Sequence, residues 1–185
     1  TAVAFRLNEV VRIFSLIKFA LQKPKFTLHK LVEEIIVCYQ DRINYSYYNV
    51  SCLPISETLI IGDEIVAGDL LNVNQVEPFV YTTLDGSYLV VWQDDRNYTG
   101  NLAGNEDIYL QQITNGETIH QQNGIAVCNE NYFPQKNPQI ELYDESNNSY
   151  IIYWNDLRSS GKANFTNIYA QSITVSSGPL CNLGD

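Results

Sequence analysis

The chain has 185 residues, 45% of them hydrophobic, and 11 Lys and Arg against 21 Asp and Glu give a formal net charge of −10. That apolar content excludes a compositionally disordered chain, and the negative charge has the wrong sign for a phosphate-binding footprint, so no nucleic-acid partner is expected. No run of about 18 uncharged apolar residues occurs, so no transmembrane segment is expected either.

The charge is unevenly distributed. Residues 1–50 hold seven basic and four acidic side chains, leaving four basic and seventeen acidic ones for the rest. A basic start and an acidic body attract each other, within one molecule or between two. The chain opens on Thr and contains no Met, as expected of a processed or truncated product, for which a cleaved secretion signal is one origin.

Residues 1–22 form an apolar, basic segment. Val3, Leu7, Val10, Phe14, Ile17 and Leu21 recur at spacings of 4 and 3, one stripe of a helix. The same stretch is rich in β-branched and aromatic residues and also reads as a pair of strands, so helix and strand both stay open. Either way its apolar surface has to be buried, in this molecule or in a neighbour.

From residue 23 the pattern is all β. Strands are expected at 26–28, 34–40, 49–55 and 59–66, then at 79–83, 88–94, 107–114 and 118–127, then at 139–143, 150–155 and 167–174. Asp85-Gly86, Asn115-Gly116 and Ser160-Gly161 mark turns between them. The chain repeats itself with a period of roughly sixty residues. Trp92, Asp94 and Arg96 align with Trp154, Asp156 and Arg158; Ile108, Tyr109, Gln111 and Ile113 align with Ile168, Tyr169, Gln171 and Ile173; Pro78 aligns with Pro138. A worn first copy has Tyr39 in the Trp position, Arg42 in the Arg position and Pro24 as the leading proline. The copies span 23–68, 78–128 and 138–181 within a repeat domain of residues 23–185.

This W-x-D-x-R … D-I-Y-x-Q pattern resembles the β-propeller-type repeats of secreted and cell-surface proteins, over about residues 23–180. The resemblance implies an array of about three four-stranded antiparallel units, with the N-terminal segment outside it. Three blades do not comfortably close a ring, so other strands complete it or the units stack in an open array.

The repeat also weighs on the candidate chemistry. Arg42, Arg96 and Arg158 would be the arginine cluster of a sialidase-like glycosidase, but they recur at one place per copy and the box typical of such enzymes is absent. Asp94, Asp95, Asn97, Asn101, Asn105, Glu106 and Asp107 are oxygen-rich enough for Ca²⁺ but lack EF-hand spacing. The structural alternative has Asp94 capping the hairpin and Arg96 pairing with Asp107 or its neighbour. His29 and His120 lie near no cysteine pattern, so no zinc site is readable. Glu33 and Glu34 are adjacent and point to opposite faces of a strand, so a solvated edge is expected there. No catalytic residues, metal site or cofactor are expected.

Two features point outside the cell. Cys38 and Cys52 lie on facing strands within disulfide reach, and Cys128 and Cys181 are the remaining candidates, with buried thiols the alternative. Asn-x-Ser/Thr occurs at Asn44, Asn49, Asn97, Asn147 and Asn164. Asn44, Asn97 and Asn164 each fall between the second and third strand of a copy, on loops where a glycan is tolerated. The expected function is an extracellular structural or surface-interaction glycoprotein that associates with itself, as a filament where the contact runs head to tail. The alternative is a carbohydrate-binding or glycoside-cleaving propeller.

Overall fold

The computed structural model of the chain describes residues 26–30, 34–43, 46–56, 60–97, 105–129, 133–158 and 166–175. The N-terminal segment 1–22, Asn44, Asn164 and Cys181 lie outside the described residues. The described residues form strands and no helix, in three antiparallel sheets, none closed into a barrel.

The first sheet runs in the order β1 (Phe26–Lys30), β2 (Glu34–Arg42), β3 (Tyr48–Ser56) and β4 (Ile65–Gly68). The second runs β5 (Gln75–Thr82), β6 (Tyr88–Asp94), β7 (Asp107–Thr114) and β8 (Glu117–Thr118), with β9 (Ile125–Cys128) also pairing β7. The third runs β10 (Gln135–Asp144), β11 (Ser149–Asp156) and β12 (Asn167–Thr174). The first three strands of each copy therefore fall where the sequence puts them. The fourth does not. In the first copy β4 starts at Ile65, and Ile61 makes only an isolated bridge to Ile55. In the second copy the expected 118–127 strand is split into β8 and β9 by an intervening turn.

Burial follows strand composition. β6 reads Tyr-Leu-Val-Val-Trp-Gln-Asp and is buried along its whole length, because an unbroken apolar run leaves neither face for water. β11 alternates instead, with Tyr150, Ile152 and Trp154 buried and Ile151 and Tyr153 only partly so. The second sheet is thus the filling of a three-layer stack. One core joins Ile36, Cys38, Val50 and Cys52 of the first sheet to Val90, Trp92 and Tyr109 of the second. The other joins Leu89, Val91, Ile108 and Leu110 of the second to Ile152, Trp154 and Ile173 of the third.

Register makes the three copies superimposable. Tyr39 faces Ser51, Trp92 faces Tyr109 and Trp154 faces Tyr169. Tyr39 does occupy the tryptophan position, but Arg42, three residues on, then falls at the position of Asp95 and not of Arg96. One residue after each of these aromatics stands a carboxamide: Gln40, Gln93 and Asn155. The first two tie each sheet to the next. Gln40 Oε1 accepts the Glu77 N–H at 3.1 Å, and Gln93 Oε1 accepts the Asn137 N–H at 2.8 Å. Glu77 and Asn137 both have φ of 54° and lie at register shifts of β5 and β10, immediately before Pro78 and Pro138. A residue before proline is disfavoured in the right-handed helical region, and the bulge turns its N–H out of its own ladder towards the preceding sheet.

Cys38 and Cys52, partners in the β2–β3 register, are joined in a disulfide on the face packed against the second sheet. Gly124 has φ of 74°, and a Cβ there would lie 2.5 Å from the Leu110 carbonyl oxygen and 2.6 Å from Trp92 Cη2. Only glycine fits beside that indole.

Trp92→Ala and Trp154→Ala are each expected to cost about 3–5 kcal/mol in urea unfolding, because each empties the layer between two sheets. A similar loss for Trp92→Ala and no loss for Trp154→Ala would break the equivalence of the copies. Replacing Cys38 and Cys52 together by Ala should cost about 3 kcal/mol, measured the same way.

Candidate functional site

Along a strand, residues two apart share a face. Trp92 and Asp94 are two apart at the end of β6, and Trp92 Nε1 donates to Asp94 Oδ2 at 3.0 Å. The chain then turns, and Arg96 folds back. Its backbone N–H and Nε donate to Asp94 Oδ1 at 2.9 and 2.8 Å, and Nη2 reaches Oδ2. Gln75 Nε2, from the neighbouring strand, donates to the same carboxylate at 2.9 Å. The guanidinium lies 3.5 Å over the Tyr109 ring, which stacks on Trp92.

The third sheet repeats the arrangement. Trp154 Nε1 donates to Asp156 Oδ2 at 3.0 Å, and Arg158 donates to Asp156 through its backbone N–H, Nε and Nη2 at 2.8, 2.9 and 2.6 Å. The Arg158 guanidinium lies 4.4 Å over the Tyr169 ring. Both carboxylates are fully buried, at 0% exposure. Burial pushes the Asp156 carboxyl up, but the hydrogen bonds from Arg158 and Trp154 outweigh it and hold the group below the ordinary value of 3.8. Arg158 is held charged by the same hydrogen bonds.

Arg96 therefore pairs with Asp94, two residues before it, and not with Asp107 as the spacing suggested. Asp107 receives Asn97 Nδ2 at 2.7 Å instead. The remaining acids of this loop are similarly engaged. Asp95 accepts the Asn74 backbone N–H at 2.6 Å and the Asn74 side-chain amide at 3.0 Å, and Glu106 pairs with Lys136 at 3.2 Å. Among the described residues no three His, Cys, Asp or Glu are grouped to hold a metal ion; Asn101 lies outside them. The carboxylates of the repeat motif meet indole, guanidinium and carboxamide donors from within the protein, so the motif is a lock on the hairpins of the second and third copies. It does not present a reactive oxygen to a substrate.

The other sequence candidates are scattered. Arg42 is exposed at the end of β2, in another sheet from Arg96 and Arg158. His120 is buried, which depresses its pKa, and its backbone N–H donates to Gln111 Oε1 at 2.9 Å. The His29 side chain lies outside the described residues. Glu34 is not a solvated edge: it is half-buried and accepts the Tyr88 hydroxyl at 2.8 Å from the next sheet. Tyr39 similarly donates to Glu64 at 2.6 Å. Burial first, and then the carboxylate partner, push both phenols well above their ordinary value. Neither of these Tyr–Glu pairs, one within a sheet and one between sheets, was singled out in the sequence.

The sequons differ in their surroundings. Asn49 lies in β3, buried, and its amide donates to Asp69 at 2.9 Å, so this one is not on a loop tip. Asn97 sits in the turn after β6. Asn147 is exposed in the β10–β11 hairpin and donates to Asp144. The sulfur of Cys128 lies 2.8 Å from Arg158 Nη2, and its expected partner Cys181 is outside the described residues. No family model matches the chain, and no curated protein matches it.

Asp156→Asn should weaken the fold by about 2–3 kcal/mol at neutral pH, since it leaves Arg158 without its counter-charge. The depressed folded pKa means that the charge contributes stability above the ordinary value of 3.8 and loses it as pH falls through the folded value. Urea titrations of the two proteins should accordingly converge as the pH drops from about 5 to about 2. A gap that widens on acidification would show that the carboxylate is not stabilised in the folded state.

Proposed function

We propose that the chain is an extracellular structural or surface-interaction glycoprotein, built of propeller-like repeats, that associates with itself. The observation carrying this reading is that the residues inviting a chemical role, the acids and arginines of the repeat motif, are committed to one another in the same way in the second and third copies. Among the described residues, what remains presented to the outside is sheet face and loop. The disulfide fits an oxidising compartment. The absence, among the described residues, of a helix long and apolar enough to cross a membrane fits a protein that is not held there by one.

The propeller-like arrangement rests on the threefold repetition of sheet and register and on the carboxamide link that recurs at both sheet-to-sheet contacts. Arg96 and Arg158 are turned onto Asp94 and Asp156 in separate sheets, an arrangement that favours the structural reading over the glycosidase alternative.

Sugar tests the extracellular reading directly. Native peptides carrying Asn44, Asn97, Asn147 and Asn164 should be heavier than their sequence by a glycan mass. Asn49 should remain unmodified, because its amide is buried against Asp69. Unmodified peptides at all five positions in protein from its natural source would remove the glycoprotein reading.

A further inference from the structure

Each sheet that is followed by another presents the same face to it. In the first sheet the pairs across β2 and β3 on that face are Ile36 with Pro54, Cys38 with Cys52 and Gln40 with Val50. In the second they are Leu89 with Gln112, Val91 with Leu110 and Gln93 with Ile108. In both, the inner apolar members are buried and the carboxamide accepts an N–H from the next sheet. The third sheet carries the equivalent pairs Ile151 with Ser172, Tyr153 with Ala170 and Asn155 with Ile168. This face is open. Ile168 is 75% exposed, and Tyr143, on the same side of β10, is 67% exposed.

Because this face is covered by the next sheet in the first two sheets and left uncovered in the third, we infer that the outer face of the third sheet is a docking surface for a second copy of the chain, meeting it through the same face. The proposal rests on the self-association reading and gives it a place and a symmetry. A head-to-tail contact would need the face that the second and third sheets turn to the sheet before them, formed by Val90, Trp92 and Tyr109 or by Ile152, Trp154 and Tyr169. Its counterpart in the first sheet is Val37, Tyr39 and Ser51, and these are 0%, 3% and 2% exposed. That face is closed to a newcomer. Among the described residues, the surface left on a second molecule is then its own third sheet. Two sheet faces pack with their strands roughly aligned and their side chains interdigitated. A contact between identical patches has a twofold axis and stops at two molecules. Ile168 and Tyr143 leave water in it, and Asn155 keeps the hydrogen-bonding capacity that Gln40 and Gln93 use internally.

Sedimentation of the intact protein tests this, with Ile168→Arg and Tyr153→Arg as separate variants and Glu117→Arg, on the exposed β8, as the control. The native protein and the control should reach the mass of two copies as concentration rises. Both face variants should remain at one copy, with the native far-ultraviolet spectrum. Ala170→Cys, treated with a short bis-maleimide linker, should give a covalent dimer that Ile168→Arg abolishes. A native protein that stays at one copy throughout would overturn both the surface and the self-association reading. Assembly unchanged in both face variants would overturn the surface alone. Masses growing past two copies would overturn the twofold symmetry.

Discussion

The central sheet has no side for water. β6 and β7 are buried on both faces, so neither can exist in solution as an independent hairpin, and the neighbouring sheets are conditions of its folding. An isolated hairpin is marginal in water, and stacking supplies what it lacks. Much else in the fold follows from that demand. The first three strands of each copy are held in one register, the large aromatics stand where the layers meet, and Gly124 gives up a side chain so that the Trp92 indole can fill its layer.

Stacking apolar faces is non-directional, and it alone would let one sheet slide over the next. The carboxamides remove that freedom. Gln40 and Gln93 each seek one N–H on the adjoining sheet, supplied by a left-handed residue whose following proline limits its alternatives. Both links are only partly buried, and a hydrogen bond of this kind contributes about 0.5–1.5 kcal/mol, so a sheet displaced by one residue loses this as well as packing. The buried aspartates act likewise within a sheet. Their desolvation is costly and is offset only where indole and guanidinium are both in place, which fixes the hairpin end that the layers then use.

The three copies, the first three strands of each and the Cys38–Cys52 bridge were legible in the sequence, because alternation, register and facing cysteines are local or nearly local properties. The fourth strand was not. Its position depends on the register shifts between Val50 and Ser51 and between Ile108 and Tyr109, which the partner strand absorbs. The partner of Arg96 was misjudged for a related reason: a turn after Asp94 brings the side chain back two residues, a geometry that acid-to-base spacing in an extended chain does not express. Gln40 and Gln93 were not singled out in the sequence, since their role appears only when a bulge in the next copy offers its N–H. Tyr88–Glu34 joins residues 54 apart and leaves no local trace.

The bridge between Cys38 and Cys52 lies inside the stack, both residues at 0% exposure. A thiolate must approach a disulfide sulfur to attack it, and here the second sheet stands in the way. Order of events is thereby imposed on biosynthesis: oxidation has to precede, or accompany, the docking of the second layer. Once the layers have closed, a reductant gains entry only when they part. The crosslink is then a chemical clock for that parting, its rate of cleavage counting how often the first layer lifts away from the second.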